Sequence, residues 1–400
     1  MKWFPAVSVA PLRTLPLPFL TARWFWVTVA AFVISRGVVV LAAYLGGPLL
    51  NDAIAPPPYH LFGVDNLLLD VFASRWDTGF YLSIADEGYR YTGVPLPSVA
   101  FWPLLPLLMR VLGSLIGSTA VAGLIISNLA LLGAALLLYR LTADEWGPQV
   151  AERAVWYLLI FPSAFFGSAI YSESLWLFCA VGALYMARRG WWESAAILAF
   201  AAALSRFVGV IVGPMLVLEW WRQRRNANGV RAPWPAVFAA CAAPLGSGAY
   251  MGYLYLRFGD PLAFVHAAAA WEREPTSPLG LIAALFQTPG EGWLAAVAAG
   301  RLPLDTWIDA GFVLLFLTIA IVLLVQRRWP EAALMLPGVL IPLSSGLWMS
   351  QRRYMWVLFP AFIVLAQWGA RPWVDRLITS LSLLGLALFT IMFANGYWVG

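Results

Sequence analysis

The chain has 400 residues, of which 62% are hydrophobic and only 11% are charged, and its formal net charge is +5. Soluble domains carry roughly 25% charged residues, so this composition excludes a cytosolic enzyme, a secreted disulfide scaffold and a disordered chain. The apolar residues fall in repeated runs near the ~20 residues that a spanning helix needs, which predicts a polytopic membrane protein. Basic residues in such proteins usually mark cytoplasmic loops, so we expect no nucleic-acid partner.

The apolar runs predict an all-α integral membrane bundle of roughly 10–12 spans, in one domain over residues 1–400. The first span is expected at 24–45, which is too long for the core of a signal peptide. The further predicted spans are 119–139, 154–168, 172–187, 194–206, 208–221, 234–256, 306–326, 331–347, 354–368 and 377–394. The apolar segment 97–117 contains Pro103 and Pro106, which is compatible with a span or with a re-entrant segment.

Charged residues predict which side of the membrane each loop occupies. The basic clusters, which the positive-inside rule assigns to the cytoplasm, lie at 2–23, 188–189, 222–231, 327–328 and 371–376. Most acidic residues collect instead in two long loops, 47–98 and 257–305, which we expect on the extracytoplasmic side with short interfacial helices. The polar chemistry of the protein is therefore expected to face outward.

The first long loop contains the segment SRWDTGFYLSIADEGYRY, residues 74–91, which mixes aromatic and charged side chains. Trp76, Phe80 and Ile84 recur at a spacing of three to four, with Tyr81 alongside, and this pattern is typical of a helix lying in the membrane interface. An aromatic belt would explain these rings without any function.

The carboxylates of this segment differ in how readily a structural role explains them. Asp86 and Glu87 fit the solvated end of a helix. Asp77 fits less well, because it follows a tryptophan at the expected membrane surface. A partly desolvated carboxylate there suits a general base that accepts the proton of a hydroxyl nucleophile.

A series of motifs resembles, in the correct order, the PIG-V family, which adds the second mannose of GPI anchors, and its bacterial relatives. The motifs are RWDTGFYLSIADEGY from Arg75, FWPLLP from Phe101, FPSAFFGSAIYSESLWL from Phe161, LSRFVG from Leu204, FGDPLAFVHAAAAWERE from Phe258 and SQRRYMWVLFPAFIVLA from Ser350. The resemblance covers nearly the whole chain, although no single motif is decisive.

The resemblance implies a GT-C type glycosyltransferase of the bacterial plasma membrane. Such an enzyme takes mannose from a polyprenyl-phosphate or dolichyl-phosphate carrier and gives it to a lipid-linked or glycan acceptor outside the cytosol. Asp77 occupies the position of the catalytic aspartate in the first outer loop. The implied reaction is inverting: a hydroxyl activated by this aspartate attacks a β-linked mannose and gives an α-linked product.

Three motifs depart from the family pattern. The usual R-P-x-G motif reads RFVG from Arg206, and Arg352 stands where a proline is expected before the final R-Y. Phe80 and Tyr81 replace the His-Phe of eukaryotic members, so a GPI acceptor does not follow from the resemblance.

Transfer from a lipid phosphate needs positive charge on the departing phosphate, and arginine supplies it through bidentate hydrogen bonds. The candidates for this donor phosphate-binding role are Arg206, Arg353 and Arg352. Interfacial snorkelling explains either of the last two equally well. Arg206 lies in an apolar stretch, where an ionisable residue defaults to a functional or paired role, and Glu173 is a competing structural partner for it.

The second loop and the helix ends supply further candidates for substrate contacts. A lone histidine such as His266 is more often structural than catalytic, and Trp271 and Arg273 suit either sugar contact or a membrane-bound lid. The full predicted substrate-binding set is Trp76, Tyr81, Asp86, Glu87, Glu173, His266, Trp271, Arg273 and Tyr354.

We expect no cofactor and no metal, because two histidines are too few for a His-rich site and the resemblance implies a GT-C enzyme with a lipid-phosphate donor, which typically acts without a metal. The absence of an Asp-x-Asp motif argues against a nucleotide-sugar donor. A cation held by Asp77 with Asp86 or Glu87 stays open as an alternative. A lipid-linked sugar flippase and a GT-C transferase for another sugar, such as arabinose or glucose, are the competing functions. A flippase predicts inverted repeats and charges along a central path. The acceptor, a protein partner and the oligomeric state are not predicted.

Overall fold

The structure is a computed structural model, and it describes residues 21–49, 67–226, 233–286, 293–300 and 304–399. The described residues are helical, and no strand occurs among them. The helices in chain order are α1 (Arg23–Leu49), α2 (Leu67–Ala73), α3 (Asp77–Glu87), α4 (Leu104–Ile116), α5 (Thr119–Trp146), α6 (Pro148–Ile160), α7 (Glu173–Arg188), α8 (Trp192–Ser205), α9 (Val212–Asn226), α10 (Trp234–Phe258), α11 (Ala263–His266), α12 (Pro278–Ala284), α13 (Trp293–Ala298), α14 (Leu304–Val325), α15 (Trp329–Leu343), α16 (Gln351–Trp356), α17 (Pro360–Trp368) and α18 (Pro372–Ala394).

Five of the described helices are long and apolar enough to cross a membrane: α1, α5, α10, α14 and α18. They correspond to the spans predicted to start at residues 24, 119, 234, 306 and 377, which confirms a multi-pass all-α membrane fold. The other predicted spans correspond to shorter helices of 9 to 16 residues, from α17 to α7. Most of the predicted basic segment 2–23 and parts of both long loops (50–66, 287–292 and 301–303) lie outside the described residues.

Breaks in the short helices have local causes. Helix α6 ends at Ile160 because Phe161 precedes a proline and is extended, with φ −52° and ψ 144°. The predicted span 154–168 is therefore a helix followed by a 3-10 turn, Ala164–Gly167. Arg206 is also extended, with φ −157° and ψ 151°, and it separates α8 from the 3-10 turn Phe207–Ile211.

Gly209 lets this second turn approach α8 closely. A Cβ atom at this position would lie only 2.1 Å from the carbonyl oxygen of Ala202. Because real Cβ atoms do not come so near to a carbonyl oxygen, only glycine fits here without moving the backbone. The glycine of the LSRFVG motif thus sets the geometry of the break at Arg206.

Helix α7 runs through the middle of the bundle and is buried along most of its length. It packs against α5, α8 and α9, while α1 packs against α18 and α10 against α8. With 16 residues, α7 separates its first and last residues by about 23 Å. Glu173 stands at one end and Arg188 at the other, and each joins a different cluster of charges.

The cluster at the Arg188 end joins the ends of four helices. Arg188 lies 3.0 Å from Glu145, 3.4 Å from Glu219 and 2.5 Å from Glu331. Arg222 and Arg328 pair with the same carboxylates. These acids lie among the arginines that the sequence assigns to the cytoplasm. The acidic residues are therefore less confined to the two extracytoplasmic loops than the charge pattern predicts.

Arg36, in the middle of the first predicted span, has partners that the sequence does not reveal. Its guanidinium donates hydrogen bonds to the carbonyl oxygens of Leu159 (2.9 Å) and Ala164 (2.8 Å) and to the hydroxyl of Ser168 (2.9 Å). These acceptors lie at the break after α6, where helix carbonyls lose their usual partners. Arg36 therefore stabilises the broken segment that leads into α7.

Candidate active site

Asp77 is the first residue of α3, and the turn before it is held in an uncommon conformation. Trp76 has φ 59° and ψ −126°, a region that residues other than glycine rarely occupy. Arg75 fixes this turn by pairing with Asp70 at 2.6 Å and by donating a hydrogen bond to the carbonyl of Ala394. Backbone strain of this kind concentrates at functional sites, because surrounding contacts must maintain it.

The carboxylate of Asp77 is paired with Arg353 of α16. Nη1 of Arg353 lies 2.7 Å from Oδ2 of Asp77, and the two residues are 276 positions apart in the sequence. Helix α16 follows Ser350, which also has a positive φ, 75°. The backbone N–H of Asp77 donates to the hydroxyl oxygen of Tyr171, at 3.3 Å.

Two further charges extend this ion pair into a chain of four. Nε of Arg353 lies 3.3 Å from Oε1 of Glu173, and Nη1 of Arg206 lies 2.5 Å from the same oxygen. The order Asp77, Arg353, Glu173, Arg206 alternates negative and positive charges and sums to zero. The side chains of Glu173 and Arg353 are only 2% and 7% exposed, so the charges rely on one another rather than on water.

Aromatic rings surround the two arginines of this chain. The Tyr354 ring lies 5.4 Å from the Arg206 guanidinium and 5.3 Å from that of Arg353. Arg273, from the second long loop, donates to the Tyr354 hydroxyl at 3.1 Å and to Ser345 at 3.0 Å. The structure thus brings predicted residues from five separate motifs to one place.

Tyr81 and Trp271 border the same region. The Tyr81 hydroxyl donates to Oγ of Ser172 at 2.9 Å, and Nη1 of Arg206 lies 3.5 Å from that oxygen. The Trp271 ring packs on Phe80, with centroids 5.7 Å apart, so the second loop covers α3. The aromatic residues of the predicted interfacial helix are thus in contact with protein rather than forming a free belt.

Arg352 does not join this chain. Its Nε lies 2.9 Å from Oδ1 of Asp309, its backbone N–H donates to the same oxygen, and its side chain also pairs with Asp305. Neighbouring residues of a helix project about 100° apart, so Arg352 and Arg353 leave α16 in different directions. The phosphate site that the geometry supports contains Arg206 and Arg353 without Arg352.

Asp86 and Glu87 lie at the opposite end of α3 from Asp77. Nine residues of helix separate Asp77 from Asp86 by about 14 Å, which is too far for one cation to bind both. Glu87 pairs instead with Arg90, and Asp86 lines an open cleft beside Arg110. The described residues contain no group of three or more His, Cys, Asp or Glu side chains that could hold a metal ion.

His266 belongs to a separate polar group at the surface. Its Nδ1 lies 2.8 Å from Oδ2 of Asp260, and the Tyr91 hydroxyl donates to the same oxygen at 2.8 Å. The hydrogen bond from His266, with that from Tyr91, lowers the pKa of Asp260 below its usual value. This geometry fits a structural histidine that orients Asp260, while the hydrogen bond from Tyr91 to Asp260 joins the second long loop to the segment after α3.

Sequence reasoning missed three contacts of the site. Tyr171 and Ser172 precede Glu173 in the motif YSES, so their nearness to the site could have been read from that motif. Trp398 lies 5.2 Å from the Arg353 guanidinium, but no pattern near residue 398 points to the site.

These features define a class: an all-α multi-pass membrane protein with a buried chain of arginines and carboxylates at one end of its bundle. The sequence model of the family "Mannosyltransferase (PIG-V)" matches residues 42–219 of this chain, somewhat less than half of it. The match confirms the resemblance to that family and supports a glycosyltransferase. Asp77, Glu173 and Arg206 lie inside the matched segment, whereas Arg353 lies outside it.

Two solved structures illustrate what the fold is similar to. Oligosaccharyltransferase AglB of Archaeoglobus fulgidus, in complex with an inhibitory peptide and a dolichol-phosphate, is 16% identical with a TM-score of 0.40, and the match covers 92% of this chain and 56% of that chain. ArnT of Cupriavidus metallidurans, bound to undecaprenyl phosphate, is 14% identical with a TM-score of 0.47, covering 94% and 77%. This chain thus spans about half the length of the archaeal protein. The search of curated proteins finds no match.

Proposed function

We propose that this protein is an inverting mannosyltransferase that uses a polyprenyl-phosphate mannose donor and a lipid-linked or glycan acceptor. The observation that carries the proposal is the chain Asp77, Arg353, Glu173, Arg206, which is buried at its centre and combines a carboxylate base with two arginines. Transfer from a lipid phosphodiester requires these two functions next to each other: a base for the incoming hydroxyl and positive charge for the departing phosphate.

The reaction then proceeds in one displacement. Asp77 accepts the proton of the acceptor hydroxyl as the hydroxyl oxygen attacks the anomeric carbon of the β-linked mannose. The new bond forms on the α face while the bond between the anomeric carbon and the phosphate oxygen breaks. The electron pair of that bond leaves with the polyprenyl phosphate, whose developing negative charge Arg206 and Arg353 stabilise.

The resting ion pair of Asp77 with Arg353 fits this mechanism. A donor phosphate that binds Arg353 replaces the carboxylate as its partner, which leaves Asp77 free to accept a proton. Glu173 keeps the two arginines side by side, because one of its oxygens contacts both of them. Tyr354 and Arg273 border the same space and are proposed to contact substrate.

The proposal includes no metal ion. Two arginines carry the positive charge that a divalent cation supplies to phosphate in other transferases. Activity is therefore expected to survive dialysis against EDTA, and a loss that Mg²⁺ or Mn²⁺ restores would contradict the proposal of a metal-free site.

We also propose that the protein lies in a bacterial plasma membrane with Asp77 at the outer face, a location that is compatible with the use of a lipid-linked donor.

The first prediction concerns Asp77. Purified protein incubated with polyprenyl-phosphate mannose and candidate lipid acceptors should transfer mannose, and Asp77→Asn should lower kcat by about 10²–10⁴-fold, the range for loss of a general base. Asp86→Asn, at the other end of α3, is the matched control and should retain activity. Full activity in Asp77→Asn would contradict the assignment.

The competing functions give different outcomes in the same preparation. A flippase would move the carrier across sealed vesicles without forming a glycosidic bond. A GT-C transferase for another sugar would use polyprenyl-phosphate arabinose or glucose and leave the mannose donor unused.

A further inference from the structure

Residues 395–399, after α18, fold back onto the candidate active site. The side chain of Asn395 donates to the carbonyl oxygen of Gly46 at 3.2 Å, and Val399 is fully buried. The carbonyl of Ala394 accepts a hydrogen bond from Arg75, one residue before Trp76. This segment is therefore fixed both to α1 and to the strained turn that presents Asp77.

The segment places Trp398 between two residues of the site. Its ring centroid lies 5.2 Å from that of Trp76, with an angle of 62° between the planes. It also lies 5.2 Å from the guanidinium of Arg353, on which the donor phosphate is proposed to bind. A sugar attached directly to that phosphate can therefore reach the Trp398 ring, and through it the Trp76 ring.

Both indoles carry a hydrogen-bond donor that has no acceptor in the described part of the chain. Nε1 of Trp76 and Nε1 of Trp398 are buried, and neither has an acceptor among the described residues. Buried donors are nearly always paired, and an indole N–H can only donate. Hydroxyl oxygens of a bound ligand would satisfy both N–H groups, and Trp76 holds its unfavourable φ of 59° at this place.

We propose that Trp76 and Trp398 bind the pyranose ring of the lipid-phosphate donor and that Trp398 is a specificity-determining residue for that sugar. This inference rests on the proposed function, because it takes the phosphate to lie on Arg353. The apolar faces of the indoles contact the C–H face of the ring, and the two N–H groups donate to sugar hydroxyls. The unglycosylated carrier lacks the ring and makes neither contact.

The test compares two ligands that differ only in the sugar. Kd values for polyprenyl-phosphate mannose and for polyprenyl phosphate are measured by calorimetry in detergent for the wild type and for Trp398→Phe, which keeps a ring but loses the N–H. The variant should lose about 3- to 10-fold in affinity for the mannosylated lipid, the effect of one hydrogen bond, and none for polyprenyl phosphate. Trp373→Phe, at an exposed position at the start of α18, is the control and should bind both ligands as the wild type does.

Each other outcome overturns the inference. Equal losses for the two ligands would assign Trp398 a structural role, and no loss would remove it from the sugar site while leaving Asp77-dependent transfer intact. A wild-type protein that binds no mannosylated lipid would contradict the proposed function as well as the inference. If Trp398→Phe does not fold, the indole N–H resonances of ¹⁵N-tryptophan-labelled wild type give the same information: two of them should shift with polyprenyl-phosphate mannose and stay in place with polyprenyl phosphate, and the absence of any such shift would contradict the inference.

Discussion

Adjacent arginines of α16 illustrate how one residue position separates two roles. Arg353 contacts Asp77 and Glu173, whereas Arg352 contacts Asp309, whose side chain is fully buried. Both arginines occur in the same motif and both suit phosphate binding by chemistry alone. Only the direction in which each leaves the helix distinguishes them.

This difference leads to a paired prediction. Arg353→Gln should weaken binding of polyprenyl phosphate by about tenfold or more, because it removes a charge-assisted bidentate contact. Arg352→Gln should leave that affinity unchanged in the folded protein but lower the free energy of unfolding by about 3–5 kcal/mol, because Asp309 loses its buried partner. Calorimetric titration and thermal unfolding in detergent measure the two effects, and a reversed pattern would contradict the proposed phosphate site.

Breaks between short helices have a functional consequence at the scale of the element. The segments after α6 and after α8, and the residues before α16, leave the helical path close to the site. Glu173, Arg206 and Arg353 each stand beside one of these breaks. A continuous helix pairs its backbone groups along its whole length and passes through the bundle. Helices that end inside the bundle can instead present charged side chains from their ends at the same depth.

Gly209 provides a test of this arrangement. Gly209→Ala should lower the free energy of unfolding by about 1–3 kcal/mol, since its new methyl group would overlap the backbone of α8. It should also weaken donor binding, because the overlap moves the 3-10 turn that follows Arg206. Gly248→Ala, inside α10 where nothing lies within 4 Å, is the control and should be neutral or stabilising by about 0.5–1 kcal/mol. Equal thermal stability of the two variants would argue against the close approach at Gly209.

Two charge clusters at opposite ends of α7 organise the whole molecule. The cluster that contains Asp77 and Glu173 lies next to two indole N–H groups that have no acceptor among the described residues. The other joins Arg188 with Glu145, Glu219 and Glu331, and it holds the ends of α5, α7, α9 and α15 together. About 23 Å along α7 separates the proposed catalytic residues from this second charge cluster.

That separation predicts which property each cluster controls. Glu331→Gln should destabilise the protein by a few kcal/mol, because the partly buried Arg188 and Arg328 lose the buried carboxylate that they share. The KM for the donor should stay the same in the protein that remains folded. Glu193→Gln, which changes an exposed acid of α8, is the control and should alter the unfolding temperature little. A change in KM without loss of stability would show that the two ends are coupled.

The sequence by itself determined the membrane class and the long helices, and it named all four charges of the site without separating Arg353 from Arg352. The length of an apolar run is a local property of the sequence, and it is enough to predict a spanning helix. Asp77, Glu173 and Arg206 stand out because charges in apolar surroundings are costly and rare. Pro162 and Pro360 also mark two of the breaks, although the predicted spans 154–168 and 354–368 run through them.

Only the tertiary structure decided which charges meet. Asp77 pairs with a residue 276 positions away, and nothing in either motif specifies that contact or the opposite orientation of Arg352. The partners of Arg36, the acids around Arg188 and the place of Trp398 likewise depend on how distant helices pack. Composition and periodicity report the environment of each segment along the chain, whereas a binding site is made from side chains that folding brings together.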